Sequence, residues 1–89
     1  MTTPPDPAPQ AIRGRLLELL GAIAPDIEPT AIDEQVALRD QFDFDSMDML
    51  HFMTAISESY GFDIPENDYA ELASLGGACR YVARRLAST

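Results

Sequence analysis

Lysine is absent from this 89-residue chain: all six cations are Arg, against 15 acidic residues, for a net charge of −9. So strong an acidic balance opposes binding to nucleic-acid backbones or to anionic lipid. Cysteine and histidine each occur once, as Cys79 and His51. A single Cys excludes an intrachain disulfide and fits a reducing, cytoplasmic setting. One Cys with one His cannot make a zinc set, so no metal site is expected. They also leave little for nucleophilic catalysis, which wants a base beside the nucleophile and an acid to orient it, so an independent enzyme with catalytic residues of its own is not expected. No run of 18 apolar residues occurs, so no membrane span is expected. The opening MTTPPDPAPQ carries no basic side chain and no apolar stretch, unlike a secretory leader. There is no β-hairpin signal and no internal repeat.

What is there is enough for one small domain, with 46% hydrophobic residues to build a core. Residues 1–9, with Pro4, Pro5, Pro7 and Pro9, read as a disordered Pro-rich tail, and residues 10–87 as the domain. Ile12, Leu16, Leu19, Leu20 and Ile23 recur at helical spacing and predict a first helix that Pro25 ends. About twenty residues then pass before the next helix, which is long for a connection. Ile27, Ile32, Val36, Leu38, Phe42 and Phe44 are spread along that stretch and predict an ordered loop pinned across the helices. A second helix is predicted over Ser46–Tyr60, with Met49, Phe52, Met53, Ile56 and Tyr60 on one apolar arc. Gly61 suits a left-handed stop, with Phe62 folding back. IPENDYAEL reads as a short helix with Pro65 at its first position. Ser74 can cap a last helix carrying Leu75, Ala78, Cys79, Val82 and Leu86 on one side, with Arg80, Arg84 and Arg85 in its later turns. Gly76 and Gly77 either weaken its first turn or let another helix approach closely. The fold class is therefore all-α: a small four-helix bundle of three longer helices and one short one, with a long ordered loop between helices one and two.

The stretch FDFDSMDMLHF, residues 42–52, carries the chemistry. Asp45 as N-cap with Asp48 three places on is good helix-start chemistry, and Ser46 could serve the same role. Yet a hydroxyl at a helix N-terminus is also well placed to carry a phosphate ester, since free N–H groups and the dipole favour an anion there. Met47 lies off the apolar arc, on the polar side with Asp48, His51 and Glu58, where a large flexible side chain invites a partner. The close acids Asp43, Asp45 and Asp48 raise the question of a calcium loop. Counted from Asp43, an EF-hand would need an acid at Met47, Gly at Asp48 and Glu at Thr54, so the pattern fails. Cys79 falls on the apolar stripe of the last helix and reads as a buried, inert thiol.

FDFDSMDML resembles the phosphopantetheine attachment motif of acyl carrier proteins, Asp-Ser-Leu or Asp-Ser-Met at the start of the second helix. YGFDIPENDYAELASL resembles that family's end of helix two, its IP turn, short third helix and start of the fourth, so the likeness spans roughly residues 10–87. It implies that Ser46 carries 4′-phosphopantetheine, derived from coenzyme A, through a phosphodiester. It implies that the thiol of this arm holds an acyl or aminoacyl group as a thioester and passes it between enzymes. The partners it implies are a phosphopantetheinyl transferase, which would read Asp45 and Met47, a loading ligase and downstream acyltransferase or synthase enzymes. The polar face of the helix extends the expected docking surface of a monomeric carrier to Asp45, Met47, Asp48, His51 and Glu58. Many fatty-acid carriers have a Glu-rich second helix, where this chain reads MLHFMTAIS; peptidyl carriers usually place a Gly-rich turn before the Ser, where this chain has Phe44-Asp45. Met after the Ser also occurs in carriers of D-alanine, which keeps an aminoacyl cargo open. The alternative outside the carrier class is an unmodified acidic helical adaptor that binds a basic partner.

Overall fold

A computed structural model describes residues 9–87. Three long helices form the frame: α1 (Pro9–Ile23), α3 (Ser46–Tyr60) and α4 (Leu75–Ala87). A one-turn helix, α2 (Leu38–Gln41), lies in the long connection after a 3₁₀ turn at Pro29–Ala31, and a 3₁₀ segment, Glu66–Leu72, precedes α4. The expected bundle of three longer helices and one short helix is found, and the short helix is wound as 3₁₀. Pro65 precedes that segment in extended conformation rather than opening it. The reading of the tail concerns residues 1–8, outside the described residues; Pro9, grouped with it, is the first residue of α1.

The helices pack through the residues that their periodicity singled out. Ile12, Leu16 and Leu20 of α1, Phe52, Met53 and Ile56 of α3, and Leu75, Ala78 and Val82 of α4 are all buried. Burying one such aliphatic or aromatic side chain contributes about 1.5–3 kcal/mol, so this shared core supplies the main driving force for folding. Tyr81, which helical spacing did not mark, is the largest fully buried side chain. Its hydroxyl donates to Asp68 Oδ2 (2.7 Å) and accepts from Arg85 Nη1 (2.9 Å), which is how a phenol can be inside. Arg85 also donates to the Asp63 carbonyl (2.9 Å) and lies 4.5 Å from the centre of the Phe62 ring. Gly61 ends α3 at φ 76°, ψ 29°, and Phe62 folds back to stack on Tyr60 with ring centres 6.2 Å apart.

The long connection is ordered for two reasons. Ile32, Leu38 and Phe44 are buried, and Ile27 and Phe42 pack against the core. Val36 does not: it is exposed, so it is not one of the pins. The backbone is also stitched down. Gly76 N–H donates to the Glu34 carbonyl (2.8 Å) and Leu38 N–H to the Ala73 carbonyl (2.9 Å), beside an isolated antiparallel bridge between Ala37 and Ser74. The Gln41 amide donates to the carbonyls of Asp33 (2.8 Å) and Val36 (2.9 Å), and its oxygen accepts from Asp33 N–H (2.9 Å). These bonds satisfy backbone groups that an irregular segment would otherwise leave unpaired.

Gly76 and Gly77 are explained by close approach. A Cβ on Gly76 would fall inside 3 Å of the Glu34 carbonyl, and one on Gly77 well inside 3 Å of the Glu71 carbonyl. The glycines therefore let the loop and the 3₁₀ segment lie directly on the first turn of α4, where Ser74 Oγ caps Gly77 N–H (3.1 Å) as expected.

Candidate functional site

The site begins with the cap of α3. Asp45 Oδ1 accepts from Asp48 N–H (2.9 Å), and Asp48 Oδ2 accepts from Asp45 N–H (3.2 Å), so both halves of a capping box are made by the two carboxylates. Ser46 is then left over. Its side chain is exposed, and its hydroxyl makes no hydrogen bond to any described residue. The structural role open to Ser46 in the sequence is already filled by its neighbours. The backbone before it is anchored by Phe44, buried and edge-on to Phe52 with ring centres 6.2 Å apart. Ser46 thus presents a hydroxyl with no partner among the described residues, on a fixed backbone at the positive end of a 15-residue helix.

An open groove of about 780 Å³ adjoins it. Phe44, Met49 and Leu50 form one side, Tyr69, Ala70 and Ala73 the other, and Asp45, Ser46, Met47, Glu66 and Arg39 complete it. Met47 is 57% exposed and Leu50 45% exposed. The outward placement of Met47 matches its position off the apolar arc. Leu50 went unmarked because it flanks the apolar arc, and sequence alone does not say where the arc ends. Tyr69 and Ala70 were also missed: only the tertiary packing of the 3₁₀ segment brings them opposite α3.

The remaining expected docking residues divide in two. Met47, His51 and Glu58 are exposed at i, i+4 and i+11 of α3, which puts them on one face. Asp45 is exposed at the cap, whereas Asp48 is half-buried, with its carboxylate engaged on Asp45 N–H rather than turned fully outward. Cys79 is only half-buried on α4, not buried as its place on the apolar stripe predicts, because that flank of the stripe lies at the edge of the core; burial, then the Glu34 carboxylate, raise its thiol pKa, which lowers its reactivity. Among the described residues, no three His, Cys, Asp or Glu side chains are grouped to hold a metal ion, and no helix is long and apolar enough to cross a membrane.

Comparison with known proteins agrees with this geometry. The family described as "Phosphopantetheine attachment site" matches residues 10–82. The meromycolate extension acyl carrier protein of Mycolicibacterium aurum is 28% identical over 75 residues, covering 84% of this chain and 76% of that one. Its counterpart in Mycobacterium leprae is 31% identical over 58 residues, covering 65% of this chain but only 50% of that protein. The acyl carrier protein of Chlamydia muridarum is 25% identical over 59 residues, covering 66% of this chain and 77% of its own length. The prosthetic group of this family is a covalently attached 4′-phosphopantetheine, and the residues present fit such a group: an exposed hydroxyl with no bond to a described residue, and a groove with apolar walls beside it. From the matched model and the bundle that bears the motif, the chain belongs to the phosphopantetheine-attachment family, among the acyl carrier proteins.

Proposed function

We propose that Ser46 Oγ is the attachment point, and that the protein holds an acyl group on the arm as a thioester and shuttles it between enzymes. The observation that carries this reading is the hydroxyl left over: Asp45 and Asp48 complete the cap, and Ser46 Oγ, exposed beside the groove, has no bond to a described residue. When bound, the group supplies a thiol at the end of a long flexible arm. This chain's residues do the rest. Asp45 and Asp48 hold the helix start rigid, Phe44 fixes the backbone, and Met47, His51 and Glu58 present a face for partner enzymes.

Those partners are a phosphopantetheinyl transferase, a loading ligase and downstream acyltransferase or synthase enzymes. A net charge of −9 suits basic docking surfaces and speeds encounter with them. The single free thiol, Cys79, suits a cytoplasmic setting. The apolar walls at Phe44, Met49, Leu50 and Tyr69 suit the chain of an apolar acyl cargo, while Asp45 and Glu66 at the same groove are the groups an aminoacyl cargo would use.

The test is an intact mass. Incubated with coenzyme A and a broad-specificity phosphopantetheinyl transferase, the chain gains one phosphopantetheine and Ser46→Ala gains none. Modification at Ser57, Ser59 or Ser74 refutes the assignment. For the cargo, an octanoyl-loaded arm should raise the melting temperature more than an alanyl-loaded arm; the reverse order restores the aminoacyl reading.

A further inference from the structure

The chain has six cations, all Arg, and four of them are engaged with described residues. Arg13 pairs with Glu34, Arg15 with Glu18 and Arg84 with Glu71. Arg85 is held by the Asp63 carbonyl, the Tyr81 hydroxyl and the Phe62 ring. Arg39 and Arg80 have no hydrogen bond or ion pair to a described residue. Arg80 lies on α4, outside the groove. Arg39 lies on α2 and lines the same groove as Ser46, the sole cation among the described groove residues, with Asp45 and Glu66 as the anions.

Its place is fixed even though its side chain is exposed. The neighbouring Leu38 is fully buried, Leu38 N–H donates to the Ala73 carbonyl, and Gln41 clamps the loop behind α2. The surrounding charge is unfavourable to another anion: Asp40, Asp43, Asp45 and Asp48 crowd this end of the molecule. The helix end gives only part of its usual help, because the Asp45 carboxylate already occupies Asp48 N–H. A phosphodiester on Ser46 would bring one more negative charge to that spot. A guanidinium matches phosphate oxygens with two parallel N–H donors, which makes it the suitable counter-charge.

We propose, building on the assignment of Ser46, that Arg39 is the positioning residue for the arm: its guanidinium pairs with the phosphodiester and holds the start of the arm over the groove. In the unmodified chain Arg39 makes no hydrogen bond or ion pair to a described residue; in the modified chain it offsets the charge of the ester.

The test is a four-way comparison of the unmodified and phosphopantetheinylated protein, each as wild type and as Arg39→Gln, with intact mass recorded first. Absence of the added mass on the wild type refutes Ser46 attachment, and is distinct from a failure of Arg39. Given full modification, the change in melting temperature on attachment should be lower in Arg39→Gln than in wild type by roughly 1–8 °C at low salt, the range of an exposed ion pair in a domain of this size. That gap should close at about 1 M salt, where the Debye length falls to about 3 Å. The ³¹P resonance of the modified protein should shift in Arg39→Gln and stay in place in Arg80→Gln, and Arg39→Lys should restore part of both effects. The unmodified forms of wild type and Arg39→Gln should melt together. Equal changes on attachment in wild type and Arg39→Gln, or an unmoved ³¹P resonance, overturn the proposal.

Discussion

Replacing Gly77 by Ala should reverse the usual sign of such a change. In a helix interior, Gly→Ala normally stabilises by about 0.5–1 kcal/mol, since Ala loses less backbone freedom on folding. Gly14, in α1, has no atom of the other described residues, its own helix backbone aside, within 4 Å of where a Cβ would stand, so Gly14→Ala should show that gain, a melting temperature higher by roughly 2–8 °C. At Gly77 the new Cβ meets the Glu71 carbonyl, with Ser74 Oγ at 3.1 Å on another side. The Glu71 oxygen belongs to backbone and cannot rotate away, so the 3₁₀ segment must shift or the first turn of α4 must open. Overpacking of this kind costs about 3 kcal/mol at the upper end of its range. Subtracting the helical gain leaves about 2 kcal/mol of destabilisation, or a melting temperature lower by roughly 8–16 °C. The displaced segment carries Tyr69 and Ala70, so the groove should change with it. Thermal unfolding followed by circular dichroism gives the stability of both variants. A Gly77→Ala protein that melts at or above the wild type would show that the 3₁₀ segment does not rest on α4 as described.

Met47→Ala should leave stability within about 0.5 kcal/mol, because the side chain is 57% exposed, while slowing arm transfer; a large fall in melting temperature would contradict its outward placement. Asp45→Asn keeps an acceptor for Asp48 N–H and should hold stability, whereas Asp45→Ala should lose about 1 kcal/mol. Transferase kinetics on the Asn variant then report the carboxylate charge alone, and an unchanged kcat/KM would remove Asp45 from the docking surface. Burial, and then the hydrogen bond to Asp68, raise the Tyr81 pKa above its ordinary value near 10. The unfolded chain therefore loses this proton first, so stability should fall with rising pH between the unfolded and folded values, and Tyr81→Phe should flatten that decline in alkaline denaturant titrations. Tyr60, also raised by burial, retains a share of it. The same substitution should cost about 1–3 kcal/mol at neutral pH by leaving Asp68 and Arg85 without the hydroxyl.

Local chemistry alone determined where α3 begins and ends. The Asp45–Asp48 box and Gly61 act within a few residues of themselves, so the span Ser46–Tyr60 was legible in the sequence. So were the core faces of α1 and α3, because burial of one stripe imposes the helical period. The position of Ser46 at a helix start was legible too, but not whether its hydroxyl was needed for the cap; that depended on which neighbour took Asp48 N–H. Tertiary structure decided the rest. Tyr81 is interior because Asp68 and Arg85, 13 and 4 residues away, meet its hydroxyl. The short third helix tightens to 3₁₀ and lies against α4, where Gly77 leaves no Cβ in its way. The long loop is held by carbonyls and amides of segments more than thirty residues distant, partners that carry no sequence signal because every residue has a backbone. The groove exists only between elements, from side chains of α3, the loop and the 3₁₀ segment. A pattern within one helix can state which residues leave the core, but only the packing of several elements makes those residues into the wall of a cleft.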